Sequence, residues 1–238
     1  MDRDQGEHEP QRASAHGRLG ARTGRRILTM TTLLDGTRAL ALELSEAQLA
    51  RLVAHLDLLD EWNARMNLTA IRDRPSQLTK HLLDSLTVLP FLSGTRIADV
   101  GSGAGFPGLP LAIVEPGRQF ALIESTGKKC RFLEHVRDTL ALANVEVVQA
   151  RAESYHPEVR FDTVLARAVG PLADLVKVAG SLVVGGGRLL ALKGRYPADE
   201  LAARLKGWKV AAVHPLTVPG LAEERHLVEL CRSHDRVG

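Results

Sequence analysis

The 238-residue chain has only two cysteines, Cys130 and Cys231, which stand far apart and form no C-x-x-C pair. The nine histidines are scattered, so the sequence predicts neither a disulfide framework nor a metal site. No apolar run approaches the roughly 18 residues of a membrane span, and the N-terminus lacks the apolar core of a signal peptide. We therefore expect a cytoplasmic protein that has no membrane anchor and binds no metal.

Two common nucleotide-binding signatures are also missing. The chain has no G-x-x-x-x-G-K-[ST] pattern, which argues against a P-loop. The dinucleotide fingerprint G-x-G-x-x-G fails because Phe106 occupies its sixth position counted from Gly101. The two tyrosines, Tyr155 and Tyr196, do not belong to a Tyr-x-x-x-Lys pair. A nicotinamide-dependent oxidoreductase on a Rossmann-like fold is thus disfavoured, although it stays an alternative.

The stretch that is present is ADVGSGAGFPGLP, over residues 98–110. The β-branched and apolar run before it predicts a short buried strand, and Pro107 suits the first turn of a following helix. Between them, Gly101, Gly103 and Gly105 allow a tight turn and a close approach of the backbone to a ligand. A strand, a glycine turn and a helix N-terminus in this order predict a ligand-binding loop.

The rest of the chain predicts one main domain with an α/β fold. After residue 94, seven apolar strand patterns alternate with helical ones, which indicates a largely parallel sheet with helices on both faces. An apolar content of 45% is ample for its core. We expect a disordered tail over residues 1–30, an N-terminal helical extension over residues 31–93, and the α/β core over residues 94–238.

The helical extension carries one polar cluster that has two interpretations. A capping box of Ser45 and Gln48 begins its first helix. In its second helix, His81, Asp84 and Ser85 are three and four residues apart and share one face. This face is either a solvated polar surface or a functional surface directed at the glycine loop.

Polar residues follow several predicted strands at the edge where open parallel sheets bind ligands. Glu124 stands 23 residues after Gly101, close to the spacing at which an acid accepts hydrogen bonds from a ribose diol. Ala152 and Glu153 follow the third strand and suit the edge of an adenine. Arg167 ends the fourth strand, where it needs a ligand or an acidic partner such as Glu124 or Glu153.

Eight separate blocks together resemble one known family. They are NLTAIRD, HLLDS, DVGSGAGFPGLP, STGKKCRFLEHV, AE, ARA, ALKG and ERHLV, spread over residues 67–228. The chain is similar to the bacterial 16S ribosomal RNA guanine-N7 methyltransferases, historically called glucose-inhibited division protein B. The resemblance implies a class I S-adenosylmethionine-dependent methyltransferase, Rossmann-like, with a mostly parallel seven-stranded sheet.

The resemblance also implies roles for individual residues. Gly101 and Phe106 would contact the methionine end of S-adenosylmethionine, with Gly103 in the same loop, and Glu124 would bind its ribose. Ala152 and Glu153 would lie on its adenine side, and Arg167 would make a further contact. The implied partner is 16S rRNA or the small ribosomal subunit.

The residues agree in part with such a target. Methyltransferases acting on exocyclic amines carry an Asp/Asn-Pro-Pro-aromatic box after the fourth strand, where this chain has Ala166-Arg167-Ala168-Val169. Pyrimidine C5 methylation needs a cysteine nucleophile, and both cysteines lie in structural patterns. Guanine N7 is an exposed lone-pair acceptor that loses no proton on methylation, so no catalytic base is expected.

The RNA is expected to bind at basic residues around the pocket rim. The net charge is +3, and residues 1–30 account for +2 of it, so bulk basicity is weak evidence for RNA binding. We expect local contacts from Lys128, Lys193, Arg225 and His226, and a monomeric protein. A non-catalytic ribosome-assembly factor and a small-molecule methyltransferase stay open as alternatives.

Overall fold

The computed structural model describes the backbone of residues 15–233 and the side chains from Ile27 onward, together with Gly24. A seven-stranded sheet forms its centre, in the order β3-β2-β1-β4-β5-β7-β6. The first five strands are parallel, and β7 runs antiparallel to both β5 and β6. The strands are β1 (Arg96–Val100), β2 (Gln119–Glu124), β3 (Val145–Gln149), β4 (Phe161–Arg167), β5 (Val183–Lys193), β6 (Trp208–Pro215) and β7 (His226–Arg232).

Helices cover both faces of the sheet, as the alternating pattern predicted. The helices are α1 (Ala15–Ala39), α2 (Glu46–Met66), α3 (Arg74–Gln77), α4 (Asp84–Leu86), α5 (Gly108–Val114), α6 (Gly127–Thr139), α7 (Leu172–Ala179) and α8 (Ala198–Leu201). The sheet separates two hydrophobic cores, and neighbouring residues of β1 belong to different ones. Ile97 lies in the core that contains α2, α5 and α6, whereas Ala98 lies in the core that contains α7. This alternation follows from the two-residue period of a strand.

Two predicted helices end earlier than their patterns indicate. The helix predicted over 198–206 ends at Leu201. The pattern predicted a helix over 172–184, but α7 ends at Ala179, a 3-10 turn covers Gly180–Leu182, and β5 begins at Val183. The β-branched pair Val183 and Val184 fits a strand better than a helix, because branching at Cβ restricts the side chain against the preceding helical turn.

The helical extension packs across the first sheet face. Its helix α2 begins with the predicted capping box, in which Gln48 N–H donates to Ser45 Oγ and Ser45 N–H donates to Gln48 Oε1. The second predicted helix is continuous from Arg74 to Leu86, but a π-helix over Leu78–Leu83 separates α3 from α4. This π-helix contains the first part of the HLLDS block, and π-helical turns are frequent at functional sites.

Helix α1 begins at Ala15, within the segment for which the sequence predicted a disordered tail. Residues 15–30 contain alanine, arginine and leucine, which favour helices, and lack proline. Residues 1–14 lie outside the described part, so the prediction for them stays a prediction. Further along α1, Leu33 is fully buried against the core of the extension.

Candidate functional site

The glycine loop stands at the carboxyl edge of the sheet, between β1 and α5, as predicted. Gly101, Gly103 and Gly105 have φ angles of +69°, +60° and +87°, a region that favours glycine. A Cβ added at Gly101 would stand 3.3 Å from Val169 Cγ2 in the segment after β4. The loop therefore needs its glycines for the turn, and at Gly101 also for the close approach of that neighbouring segment.

Glu124 connects the end of β2 to this loop. The residue is 5% exposed, and its carboxylate accepts the N–H of Thr126 at 2.8 Å and the N–H of Gly103 at 3.1 Å. Burial opposes ionisation, but these donors and Lys129 Nζ at 3.9 Å outweigh it, so the pKa of Glu124 lies below its usual value. Glu124 is thus a charged group that shapes the loop and keeps acceptor capacity on each oxygen.

Phe106 lies below the loop in a stack of three rings. The centre of the His55 ring is 4.6 Å from the centre of the Phe106 ring, and the centre of the His81 ring is 4.4 Å from it. Both histidine rings lie nearly parallel to the Phe106 ring. The Arg167 guanidinium stands 5.6 Å from the centre of the same ring. The Phe106 side chain is only 3% exposed, so it supports the loop from within.

Both histidines in this stack are held neutral. Burial lowers the pKa of His55 to about 4, and burial together with the Arg167 charge lowers the pKa of His81 to about 4. His55 Nε2 donates to the Ala104 carbonyl at 3.1 Å, which fixes its tautomer, and His81 Nε2 lies 3.1 Å from Thr69 Oγ1. The polar face of HLLDS is therefore buried and turned towards the glycine loop, so it is not a solvated surface. A functional role for this face stays a prediction.

Arg167 has a partner that the sequence did not predict. The expected salt bridge to Glu124 or Glu153 is not formed; instead Arg167 Nη1 lies 3.3 Å from Asp84 Oδ2 and donates to the Lys80 carbonyl at 3.1 Å. The reason is the strand order, since β1 separates the end of β4 from the end of β2, whereas Lys80 and Asp84 of the helical extension reach the end of β4.

Asp84 joins three separate segments of the chain. Its second oxygen, Oδ1, accepts from Arg225 Nε at 3.1 Å, so that one buried carboxylate holds the arginine at the end of β4 and another directly before β7. Burial raises the pKa of Asp84 despite the two neighbouring guanidinium groups. A second ion pair joins the helical extension to the segment before β7, between Lys80 Nζ and Glu223 Oε1 at 2.7 Å.

Asp99 is a fully buried acid at the base of the loop. Its Oδ2 accepts the N–H of Gly108 at 3.0 Å, whereas its Oδ1 has no hydrogen-bond partner among the described residues. Burial raises the pKa of Asp99 to about 6. A buried acceptor without a partner beside a glycine loop is the kind of group that a bound ligand satisfies.

The match to known proteins agrees with this geometry. The model of the family rRNA small subunit methyltransferase G matches residues 48–228, from the second helix to β7. The chain belongs to the rRNA small subunit methyltransferase G family. A relative from Aromatoleum aromaticum, named ribosomal RNA small subunit methyltransferase G, is 49% identical over 211 residues, covering 87% of this chain and 100% of the relative. A relative of the same name from Marinobacter nauticus is 46% identical over 201 residues, covering 84% and 94%.

Solved structures of other methyltransferases share the fold of this family member. The glycopeptide N-methyltransferase MtfA complexed with S-adenosylmethionine has a TM-score of 0.56 at 13% identity, covering 64% of this chain and 87% of its own. An S-adenosylmethionine-dependent methyltransferase from Geobacter sulfurreducens has a TM-score of 0.51 at 14% identity, covering 74% and 98%. The predicted family, fold class and type of enzyme, an S-adenosylmethionine-dependent methyltransferase, are confirmed.

In this member of the methyltransferase G family, the remaining predicted site residues lie along the same edge. Ala152 is buried and Glu153 is exposed in a short 3-10 turn directly after β3. Of the predicted RNA contacts, Lys128 is exposed and reaches the Met66 carbonyl at 3.4 Å. His226 Nδ1 lies 3.1 Å from the Gly194 carbonyl. Their roles towards cofactor and RNA stay predictions.

Two of the predicted RNA contacts are already paired with a carboxylate of the protein. Lys193 Nζ donates to the Gly170 carbonyl and to Glu200, both at 2.7 Å. Arg225 is bound to Asp84. These two cations therefore organise the rim, and an RNA phosphate would compete with their present partners.

Sequence reasoning missed His55 altogether. It stands in the apolar stripe of α2 together with Leu52, Leu56 and Leu59, all fully buried. A polar residue in an otherwise apolar helix stripe was the available signal, because a buried imidazole needs a specific partner. Within the described residues, no group of three or more His, Cys, Asp or Glu side chains could hold a metal ion, and no helix is long and apolar enough to cross a membrane.

Proposed function

We propose that this protein transfers the methyl group of S-adenosylmethionine to N7 of a guanine in 16S ribosomal RNA. The observation that carries the methyl-transfer part is the glycine loop at the carboxyl edge of β1, with an ionised Glu124 at the end of β2. The RNA target is supported by the relatives, whose names state a ribosomal RNA small subunit methyltransferase. The guanine N7 position follows from the family resemblance.

The residues present fit the proposed cofactor. S-adenosylmethionine supplies an activated methyl group next to a positively charged sulfur when it is bound. Glu124 offers acceptors for the ribose hydroxyls, and Asp99 has an unsatisfied oxygen at the base of the loop. Ala152 and Glu153 follow β3, the strand beside β2, where the adenine side is expected.

The chemistry of the edge suits a target that needs no proton transfer. The ring nitrogen N7 of guanine attacks with a lone pair, so the protein has to orient the base rather than deprotonate it. His55 and His81, the histidines closest to the loop, are buried, neutral and stacked on Phe106. Their place in the stack gives them a structural role in holding the loop, in agreement with a reaction that uses no general base.

A substitution in the loop tests the cofactor assignment. In Gly101→Asp, a side chain is added at a φ of +69° and 3.3 Å from Val169, so calorimetric titration should show at least a tenfold loss of S-adenosylmethionine affinity. The matched control is Gly117→Asp, since Gly117 is exposed and no atom lies within 4 Å of its added Cβ. Equal affinity in the two variants would contradict the assignment.

A deletion strain tests the RNA target. Its small-subunit RNA should lack one N7-methylguanosine, seen as the loss of one cleavage site after borohydride and aniline treatment. Purified enzyme with labelled cofactor should restore the mark on small subunits and leave free metabolites unlabelled. Survival of every such mark in the deletion strain would refute the RNA function, and labelling of a metabolite instead would favour a small-molecule methyltransferase.

The same proposal includes where and in what form the protein acts. Because the substrate is part of the small ribosomal subunit, we place the reaction in the bacterial cytoplasm. A monomer is expected, and light scattering of the purified protein measures this directly. A non-catalytic assembly role would be favoured if a variant unable to bind S-adenosylmethionine still restored normal subunit assembly.

A further inference from the structure

A cavity of about 340 Å³ lies at the opposite edge of the sheet from the glycine loop. It is bounded by α7, the 3-10 turn before β5, the start of β6 and the end of β7, all elements at the amino edge of the parallel strands. Its lining contains four cationic side chains and no carboxylate. The charged and aromatic lining residues are Lys177, Arg204, Lys206, Trp208 and Arg232.

One cation of this cavity is held in place by the protein. Arg232 Nη2 donates to the Gly180 carbonyl at 2.8 Å, and its guanidinium stands 5.0 Å from the centre of the Trp208 ring, so its position is fixed by two contacts. Trp208 is 6% exposed, and its ring forms the apolar wall on which the Arg232 guanidinium lies. The cavity therefore presents one arginine in a fixed position.

Two further cations of the cavity are free. Arg204 and Lys206 are exposed and form no ion pair with any described residue. Lys177 is paired with Asp174 at 2.9 Å, and both groups are exposed, so this pair contributes little to holding the lysine in place. Arginine and lysine side chains that line one cavity without a carboxylate in the lining form a site for an anion.

We propose that this cavity binds a backbone phosphate of 16S ribosomal RNA, as a second contact remote from the methylated guanine. The inference rests on the proposed function, which makes a polyanion the substrate. The segment from His226 to Arg232 crosses the sheet from one edge to the other, and at about 3.4 Å per residue the two contacts are about 20 Å apart. Phosphate contacts of this kind fix register and orientation, whereas the base is selected at the other edge.

Charge complementarity favours RNA as the occupant. The net charge of the whole chain is only +3, so uniform attraction to a polyanion is weak, and local clusters have to supply it. At the methyl-transfer edge, Lys193 and Arg225 are already held by Glu200 and Asp84. The cavity provides unpaired cations that RNA phosphates can meet without displacing a protein carboxylate.

The test measures affinity for 16S rRNA and for small subunits as a function of salt. The variant is Arg204→Gln/Lys206→Gln, whose residues are exposed and unpaired, so that the fold and the cofactor site stay intact. The matched control is Arg38→Gln/Arg51→Gln, with the same change in net charge at two exposed arginines of α1 and α2. Calorimetric S-adenosylmethionine binding checks that both variants keep the cofactor site.

We expect the cavity variant to bind 16S rRNA several-fold more weakly, with a slope of log affinity against log salt reduced by about 1 to 2. The control pair should keep the wild-type slope. Equal losses in both variants, or no loss in either, would refute the inference. Weaker binding of small subunits with unchanged binding of naked rRNA would also refute it, because a ribosomal protein would then be the occupant. A wild-type protein that methylates no rRNA would refute the proposed function. A cavity variant with unchanged RNA affinity, in a protein whose wild type methylates rRNA, would refute this inference alone.

Discussion

The neutral histidines below the glycine loop make the stability of this protein sensitive to mild acid. In the folded protein, the pKa values of His55 and His81 are about 4, against an ordinary value of 6.5. Below pH 6.5 the unfolded chain therefore binds protons that the folded chain does not, and the folded state loses stability until the pH falls to about 4. At pH 5 this loss is about 2 kcal/mol for each histidine.

Asp99 acts in the opposite direction over part of the same range. Its pKa in the folded protein is about 6, against an ordinary 3.8, so below pH 6 the folded chain takes up a proton that the unfolded chain does not. This uptake stabilises the folded state by about 1 kcal/mol at pH 5 relative to pH 7.5. For His55, His81 and Asp99 together, the expectation is a loss of about 2 to 3 kcal/mol in the free energy of unfolding between pH 7.5 and pH 5. The raised pKa of Asp84 acts in the same direction as that of Asp99 and makes the loss smaller.

The measurement is urea unfolding at the two pH values, for the wild type and for His81→Phe. A phenyl ring can keep the stacking on Phe106 while removing one titrating group, so the variant should lose about 2 kcal/mol less than the wild type on acidification. His156→Gln, at an exposed position, is the matched control and should follow the wild type. A wild type whose stability is the same at both pH values, or a His81→Phe variant with the full wild-type loss, would refute the reasoning.

Two further predictions concern the acids of the site. Asp84→Asn leaves Arg167 and Arg225 without their carboxylate; because both arginines reach solvent, we expect a loss of about 1–3 kcal/mol in the free energy of unfolding together with weaker S-adenosylmethionine binding. Asp138→Asn, which removes an exposed pair with Arg137, should cost less than about 0.5 kcal/mol in the same urea experiment, and equal losses would count against the importance of Asp84. Glu124→Gln keeps the shape of the side chain but replaces one acceptor oxygen by a donor, which then faces the N–H of Gly103 or of Thr126. Calorimetry should show a loss of S-adenosylmethionine affinity of about tenfold or more. Unchanged affinity would remove Glu124 from the cofactor site.

The sheet was predictable from the sequence, and the contacts across its edge were not. Strand patterns with a two-residue period and the glycine loop are local signals, and each of the seven predicted strands is present. The pairing of Arg167 with Asp84 joins residues 83 positions apart and depends on the strand order, which no local pattern contains. His55 reaches the loop only because α2 packs over α5, a contact between distant segments.

Local patterns also failed where two structures fit one stretch. The alternation between helix and strand is ambiguous in short apolar runs, and residues 180–184 were assigned to a helix although they form a 3-10 turn and the start of β5. The π-helix over Leu78–Leu83 adds a residue to a helical turn, and this changes which side chains reach the loop without changing the composition.

The boundary between the helical extension and the α/β core is a boundary in sequence only. The ring stack takes one histidine from α2, one from the π-helix and its phenylalanine from the loop of the core. A fragment that starts near residue 94 would keep all seven strands and every glycine of the loop, yet it would lose both histidines that stack on Phe106 and release Arg167 from Asp84. Grafting the loop onto another sheet would therefore transfer its sequence but not its shape, unless the two helices that press on it were transferred too.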